Sequence, residues 1–411
     1  MDQNDQRLGG IVGMQLSVMM FLQFFLWGAW YVTLGPFMNG AGMADSIGWA
    51  YTVGPIAAIA SPFFLGLVAD RFFAVERMLG ILHLIGGAAL CYAPTAAEHS
   101  STLFIYVLLF HMLCYMPTLG LTNTLAMHNM TNAEKQFPLI RVFGTVGWIV
   151  AGVLISLLDI DTSSKFFYIA GGSGLLLGLY SFSLPHTPPP AKGRAFSVRD
   201  AMGIDALSLL KNRSFAIFAF CSFLICIPLA AYYAYAPTFA GDIGIKNIGS
   251  TMTLGQISEV LFMLVMPFFF IRLGVKWMLA IGMLAWVARY ALFAAGASDQ
   301  VIWMVIGGIV LHGICYDFFF VAGQIYTDQV AGSKIRGQAQ GFLVLITQGL
   351  GMLIGAQLAG KLVATFTIDG AKDWQQIWIY PTVFALVVLV IFVLLFKNTT
   401  SKTTVGGEID E

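Results

Sequence analysis

The sequence predicts an all-α polytopic membrane protein, twelve transmembrane helices in two six-helix bundles. Three observations predict it. Of 411 residues, 58% are hydrophobic and only 10% charged, with mean hydropathy +0.81, a composition no soluble domain of this length has. Apolar stretches near the roughly 20 residues needed to cross a bilayer recur along the whole chain. One long polar break, LPHTPPPAKGRAFSVRDAMGIDALSLLKNRS, divides them in the middle.

The expected spans are 11–37, 47–69, 78–96, 101–126, 138–158, 165–184, 214–240, 250–272, 277–296, 301–324, 336–362 and 375–396. The break carries three successive prolines and then five basic residues, the composition of a linker. The expected division is therefore an N-terminal bundle (1–184), a cytoplasmic linker (185–213) and a C-terminal bundle (214–411). The polar start, MDQNDQRLGG, precedes a span too long for a signal h-region, so no cleaved targeting segment is expected.

Basic residues set the orientation. With both termini cytoplasmic, fifteen of the 21 Lys and Arg fall inside and four (Lys165, Lys246, Lys361, Lys372) outside, with Arg141 and Arg289 within spans. That bias obeys the positive-inside rule. Zero net charge argues against a nucleic-acid partner. Cys91, Cys114, Cys221, Cys226 and Cys315 all lie in or beside apolar runs without metal-ligand spacing, as small buried thiols would. No metal or cofactor is expected, and a monomer is.

Between spans two and three the chain reads Gly66-Leu-Val-Ala-Asp70-Arg71. This resembles the GxxxDR signature of the major facilitator superfamily, in the loop where that family carries it. Gly66 permits close helix approach, and Asp70 can accept from a basic group or a helix N-terminus across the bundle, as a conformational latch would. An ordinary charged turn is the plainer reading. The matching loop of the second half, Ile271 to Lys276, keeps the basic residues and lacks the aspartate.

Ionisable groups inside spans point to function, because each costs on the order of 2.5–3.5 kcal/mol at a membrane helix centre on insertion scales. Arg141, Thr145 and Trp148 follow at i, i+4 and i+7 on one face of span five. Charge, hydroxyl and indole on one stripe can clamp a ring-bearing polar solute; the plainer reading has the arginine snorkelling and the indole packing. Gln256 and Glu259 share a face of span eight. His312, Tyr316 and Asp317 lie together in span ten, where a buried acid can load and release a proton. Asp317 is the first choice for proton coupling and Glu259 its rival. Arg289 can neutralise either acid in one state, or pair structurally throughout. Gln23, Trp27, Trp30, Thr118, Asn123, Tyr232, Tyr233, Gln324 and Gln348 are weaker candidates, each as able to bridge helices as to line a cavity. Phe318 to Phe320 read as packing, and the glycines at 171–174 and 349–360 as close-contact surfaces.

FLQFFLWGAWYVTLGPFM, YMPTLGLTNTLA, FPLIRVFGTVGWI, GQISEVLFMLVMPFF, AWVARYALFA, YDFFFVAGQ and DWQQIWI together resemble the bacterial nucleoside:proton symporters of the major facilitator superfamily, nearly end to end. The resemblance implies a nucleoside held in a central cavity between two halves and uptake driven by protons across the inner membrane. It also implies that Arg141, Thr145 and Trp148, Gln256 and Glu259, and Tyr316 and Asp317 occupy the family's site positions. Two departures stand out. His312 takes the place of the family's span-ten tyrosine, and Ala230 and Tyr233 take the place of polar span-seven residues. A symporter of the same fold for another polar solute, such as a sugar, is the alternative. An intramembrane enzyme has little support: Tyr316-Asp317 lacks a GxGD partner, and Gly171-Gly-Ser173-Gly174 fits GxSG with no second feature. No soluble signalling domain supports a receptor.

Overall fold

The computed structural model describes residues 10–65, 72–131, 133–189 and 204–397. The latch candidates Gly66, Asp70 and Arg71, and most of the expected linker, lie outside the described residues. The helices are α1 (Gly10–Tyr31), α2 (Leu34–Gly40), α3 (Ile47–Phe64), α4 (Val75–His99), α5 (Ser101–His128), α6 (Ala133–Leu157), α7 (Phe166–Ser181), α8 (Arg213–Asp242), α9 (Ile248–Ser298), α10 (Ile302–Val310), α11 (His312–Cys315), α12 (Ala322–Val344), α13 (Met352–Thr365) and α14 (Trp374–Leu395). Two π-helical turns, Tyr316–Val321 and Leu345–Gly351, join the last pieces into two longer rods, which part inside α12 at Gly332, where φ is 65°.

Among the described residues, ten helical spans are long and apolar enough to cross a membrane. Twelve are reached once the 51-residue α9 is divided at Gly274 and the 16-residue α7 is counted. Gly274 has φ 67° and ψ 174°, a backbone conformation that L side chains rarely adopt, so the helix breaks there. Side chains such as Leu264, Ile271 and Leu394 face outward, as lipid contact demands. Helix starts carry the expected caps: Ser100 accepts from the Leu103 N–H, Asn212 from those of Ser214 and Phe215, and Asp373 from that of Gln376. Part of the expected linker is ordered. Ile204–Lys211 forms a 3₁₀ helix packed on α8 and α12. A two-residue hairpin, Thr367–Ile368 with Ala371–Lys372, turns through Asp369 and Gly370, both at positive φ.

In the first half of the chain α4 packs on α5 and α7, α1 on α6 and α7, and α3 on α5. In the second, α9 packs on α10, α11 and α14, and α8 on α13 and α14. Small residues set these distances. Gly87, Gly171 and Gly174 bring α4 and α7 together, and a Cβ at Gly147 of α6 would strike the Phe21 carbonyl of α1. Gly147→Val is expected to lower stability by about 1–3 kcal/mol, read as a fall in melting temperature in detergent.

The halves meet through α6 with α9, α3 with α13 and α2 with α8. The hydrogen bonds that join them lie at the end carrying neither described terminus. There the Gly249 N–H donates to Asp161 Oδ1 at 2.6 Å and the Ser250 N–H to Ser156 Oγ at 2.9 Å, so α6 and its following loop cap the start of α9. Gln357 Nε2 donates to Thr52 Oγ1 at 2.7 Å, and Lys372 Nζ to Asn39 Oδ1 at 2.9 Å. Gly35 lies against Ala234 and Thr238, and Gly48 against Ala356. At the opposite end, where Gln15 bonds Ser183 and Ser214 bonds Lys397, no hydrogen bond joins the halves among the described residues.

Candidate functional site

The second half supplies the acids. Gln256 and Glu259 sit one turn apart on the first stretch of α9, and His312 and Gly313 press against them. The approach depends on glycine: a Cβ at Gly313 would come within 2.5 Å of the Ser258 backbone, and one at Gly255 within 3.0 Å of His312 Cβ. Ser258 Oγ donates to the Val310 carbonyl and fixes the height. His312 Nε2 consequently faces Glu259 Oε2 at 3.9 Å. The imidazole stacks on Tyr232 (5.6 Å between centroids, 18° between planes) and meets Tyr233 and Tyr316 at 6.4 and 5.8 Å. Asp317 follows in a π-helical turn, a feature frequent at functional sites. It is fully buried, and neither carboxyl oxygen has a hydrogen-bond partner.

The first half supplies the cation and aromatic surface. Arg141 lies with its Cζ 4.1 Å from the centre of the Phe24 ring, a cation–π contact that Gly144 makes room for. Trp148 stands edge-on to Trp27 at 5.4 Å and to Tyr31 at 6.4 Å, with its backbone against Gly28. Thr145, between them on the same face, is half-buried.

Across the interface, Tyr31 packs on Tyr233 with ring centroids 6.0 Å apart. The structure thus brings Glu259, His312 and Tyr316 together, with Asp317 next to Tyr316 in the chain, and Trp148 is joined to them through Tyr31 and Tyr233. Buried polar atoms without partners gather there: Trp27 Nε1, Gln256 Oε1, His312 Nδ1 and both Asp317 oxygens. Buried polar groups are rarely left unpaired, and a cluster of them marks a place built to meet polar atoms of something else.

Several expectations change. Gln23 is consumed inside the first half, donating to Thr118 Oγ1 and meeting His83 Nε2, both at 2.7 Å. Trp30 is buried edge-on against His111. Asn123 and Gln324 are exposed. Arg289 pairs with neither acid; its Nε–H donates to the Gly308 carbonyl and its guanidinium lies over Tyr232. Sequence reasoning missed Tyr31 and Phe24, whose signal is only their spacing from Trp27 on one helix. A cavity of about 740 Å³ opens elsewhere, at the sealed end, lined by Asn39, Asp242, Lys372 and Trp374 among others and by none of the eight candidate solute-site residues.

Residues 11–401 match the family described as Nucleoside H+ symporter. The chain is 38% identical over 406 residues to YegT of Escherichia coli (strain K12), covering 95% of either chain. It is 33% identical over 412 residues to the nucleoside permease NupG of the same organism, covering 96% of this chain and 98% of the other. The crystal structure of NupG superposes with a TM-score of 0.85 at 32% identity over 94% of this chain and 99% of that one. The D-xylose-proton symporter, at 13% identity and a TM-score of 0.71 over 93% and 98%, shares the fold. By sequence along nearly its whole length and by fold, the chain belongs to the nucleoside:proton symporter family, in the major facilitator fold.

Proposed function

We propose that this transporter imports nucleosides with protons by moving the two halves against each other around the Arg141–Glu259–Asp317 group. The observation that carries this is the aromatic seam in which Trp148 and Tyr31 of one half meet Tyr233 of the other, leading to His312 and Glu259 beside buried polar atoms that have no partner. A nucleoside offers what such a surface can hold. Its base stacks on Trp148 and the tyrosines, and its ribose hydroxyls and base edge meet Thr145, Gln256, Glu259 and His312. Arg141 draws Glu259 toward the solute and keeps that acid compensated. Asp317 has no donor, and the membrane-burial cost of an ionised carboxylate is removed when it takes a proton. It is therefore assigned the proton.

In this reading residues 1–184 and 214–411 form the two moving bundles, the intervening segment is their cytoplasmic linker, and Asp70 with Arg71 latches the inner side. The protein acts as a monomer in the inner membrane with both termini in the cytoplasm. The sealed end is then the outer one, and the conformation is closed to the outside.

Proteoliposomes test the site. Labelled uridine taken up under an inward proton gradient, competed by a panel of nucleosides, nucleobases and sugars, is expected to be displaced by nucleosides. Displacement by sugars alone overturns the reading. Arg141→Ala is expected to raise the half-saturating uridine concentration about tenfold or more, the ~1.5–3 kcal/mol of a hydrogen bond to a charged group, with the melting temperature retained.

A further inference from the structure

Arg289 is a membrane-buried charge that solute binding and proton transfer, as assigned above, do not use. It is fully buried in the second stretch of α9. Its Nη1 and Nη2 have no hydrogen-bond partner, and no carboxylate lies within ion-pair distance among the described residues. An aliphatic side chain would fill the same space without the cost of burying a cation. What the guanidinium adds is directional. Its Nε–H is anchored on the Gly308 carbonyl of α10 at 3.1 Å, and its Cζ lies 4.1 Å from the centre of the Tyr232 ring on α8. Tyr232 is the ring against which His312 lies nearly parallel, and His312 faces Glu259. One column therefore runs Arg289, Tyr232, His312, Glu259, drawn from both stretches of α9, from α8 and from α11. Tyr233 and Tyr316 flank it.

We propose that Arg289 is a positioning residue for solute recognition: by clamping Tyr232 to α10 it fixes the imidazole of His312 against Glu259. The proposal rests on the reading of His312 and Glu259 as solute contacts. A flat ring held by a cation on a backbone anchor cannot swing, and a stacked imidazole inherits that rigidity. A planar guanidinium serves better than a lysine ammonium because the same group must both donate along its edge and lie over a ring.

Uridine uptake and counterflow in proteoliposomes test it. Arg289→Met is expected to raise KM for uridine tenfold or more with kcat within about twofold, the signature of lost binding rather than lost turnover. Tyr232→Leu is expected to reproduce the effect, and it keeps the test open where removal of the buried charge prevents folding. In a His312→Ala background, Arg289→Met is expected to add less than twofold, because the arginine acts through the imidazole. Effects of Arg289→Met and His312→Ala that multiply independently overturn the proposal, as does a fall in kcat with KM unchanged. His312→Ala and Glu259→Gln run alongside as controls. If both leave KM unaltered, the solute-site reading has failed; if they raise it and Arg289→Met and Tyr232→Leu do not, only the positioning role has.

Discussion

Asp317→Asn is expected to abolish concentrative uptake while leaving nucleoside exchange intact. A proton entering down a gradient of one pH unit and about 100 mV releases roughly 1.4 plus 2.3 kcal/mol. Coupled one to one, that supports an accumulation ratio of roughly 500-fold, since each 1.4 kcal/mol is a factor of ten. Asparagine keeps the shape of the neutral acid and cannot release a proton, so the carrier is left equilibrating its solute. The steady-state ratio of labelled uridine, inside to outside, should fall to about 1 under the same imposed gradient. Counterflow between two pools of uridine needs no net proton movement and should persist. Glu259→Gln is the contrast. Glu259 is partly exposed and faces His312 at 3.9 Å, whereas Asp317 is fully buried with neither oxygen partnered. The glutamine variant is expected to bind uridine more weakly and still accumulate it at saturating concentration. If Asp317→Asn accumulates uridine and Glu259→Gln does not, the two roles are reversed.

Much of the candidate site was legible because intramembrane charge is costly enough to be conspicuous in a hydrophobic sequence. Arg141, Glu259, His312 and Asp317 stand out in apolar runs, and helical spacing alone aligned Thr145 and Trp148 with the first of them. What could not be read was how polar groups pair across helices. Gln23 looks like a cavity residue until His83 and Thr118, 60 and 95 residues away in sequence, are seen to hold it. Arg289 looks like a counter-ion until its anchor proves to be a backbone carbonyl and an aromatic ring. Tyr31 carries no charge to announce it, yet it is the aromatic bridge to Tyr233 between the halves. The fold was legible from span count and the central polar break. The division of α9 hangs on Gly274, whose positive φ no hydropathy window detects.

Asp161→Ala is expected to unseal the end away from the described termini, the outer end in the orientation proposed above. Asp161 lies in the loop between α6 and α7, accepts from the Gly249 N–H across the interface, and accepts from the Ser156 hydroxyl, which in turn receives the Ser250 N–H. One carboxyl thereby organises both caps on the start of α9. Leaving the buried Gly249 N–H without its acceptor costs about 1–3 kcal/mol, so the balance of sealed and open states should move by roughly 5- to 150-fold. Thr253, packed against Gly152 in the same seam, supplies the reporter. Thr253→Cys should react with a membrane-impermeant maleimide from outside far faster when Asp161→Ala is added, measured against the chain without the added cysteine. The pH dependence has a definite sign. Burial raises the Asp161 carboxyl above its ordinary value, the bonds from the Gly249 N–H and the Ser156 hydroxyl opposing the rise in part. In the open state the group returns to water and to about 3.9. The sealed state thus binds its proton up to higher pH, so the contribution to sealing is full below the open-state value and is lost as pH rises through the raised one. Acid outside should tighten the seal. Asp161→Asn, which keeps an acceptor for the Gly249 N–H and removes the titration, should in the Thr253→Cys background label at or below the rate of Thr253→Cys alone at every pH. Faster labelling of the asparagine variant would mean that the negative charge on the helix start, rather than the hydrogen bonds, holds the outer end shut.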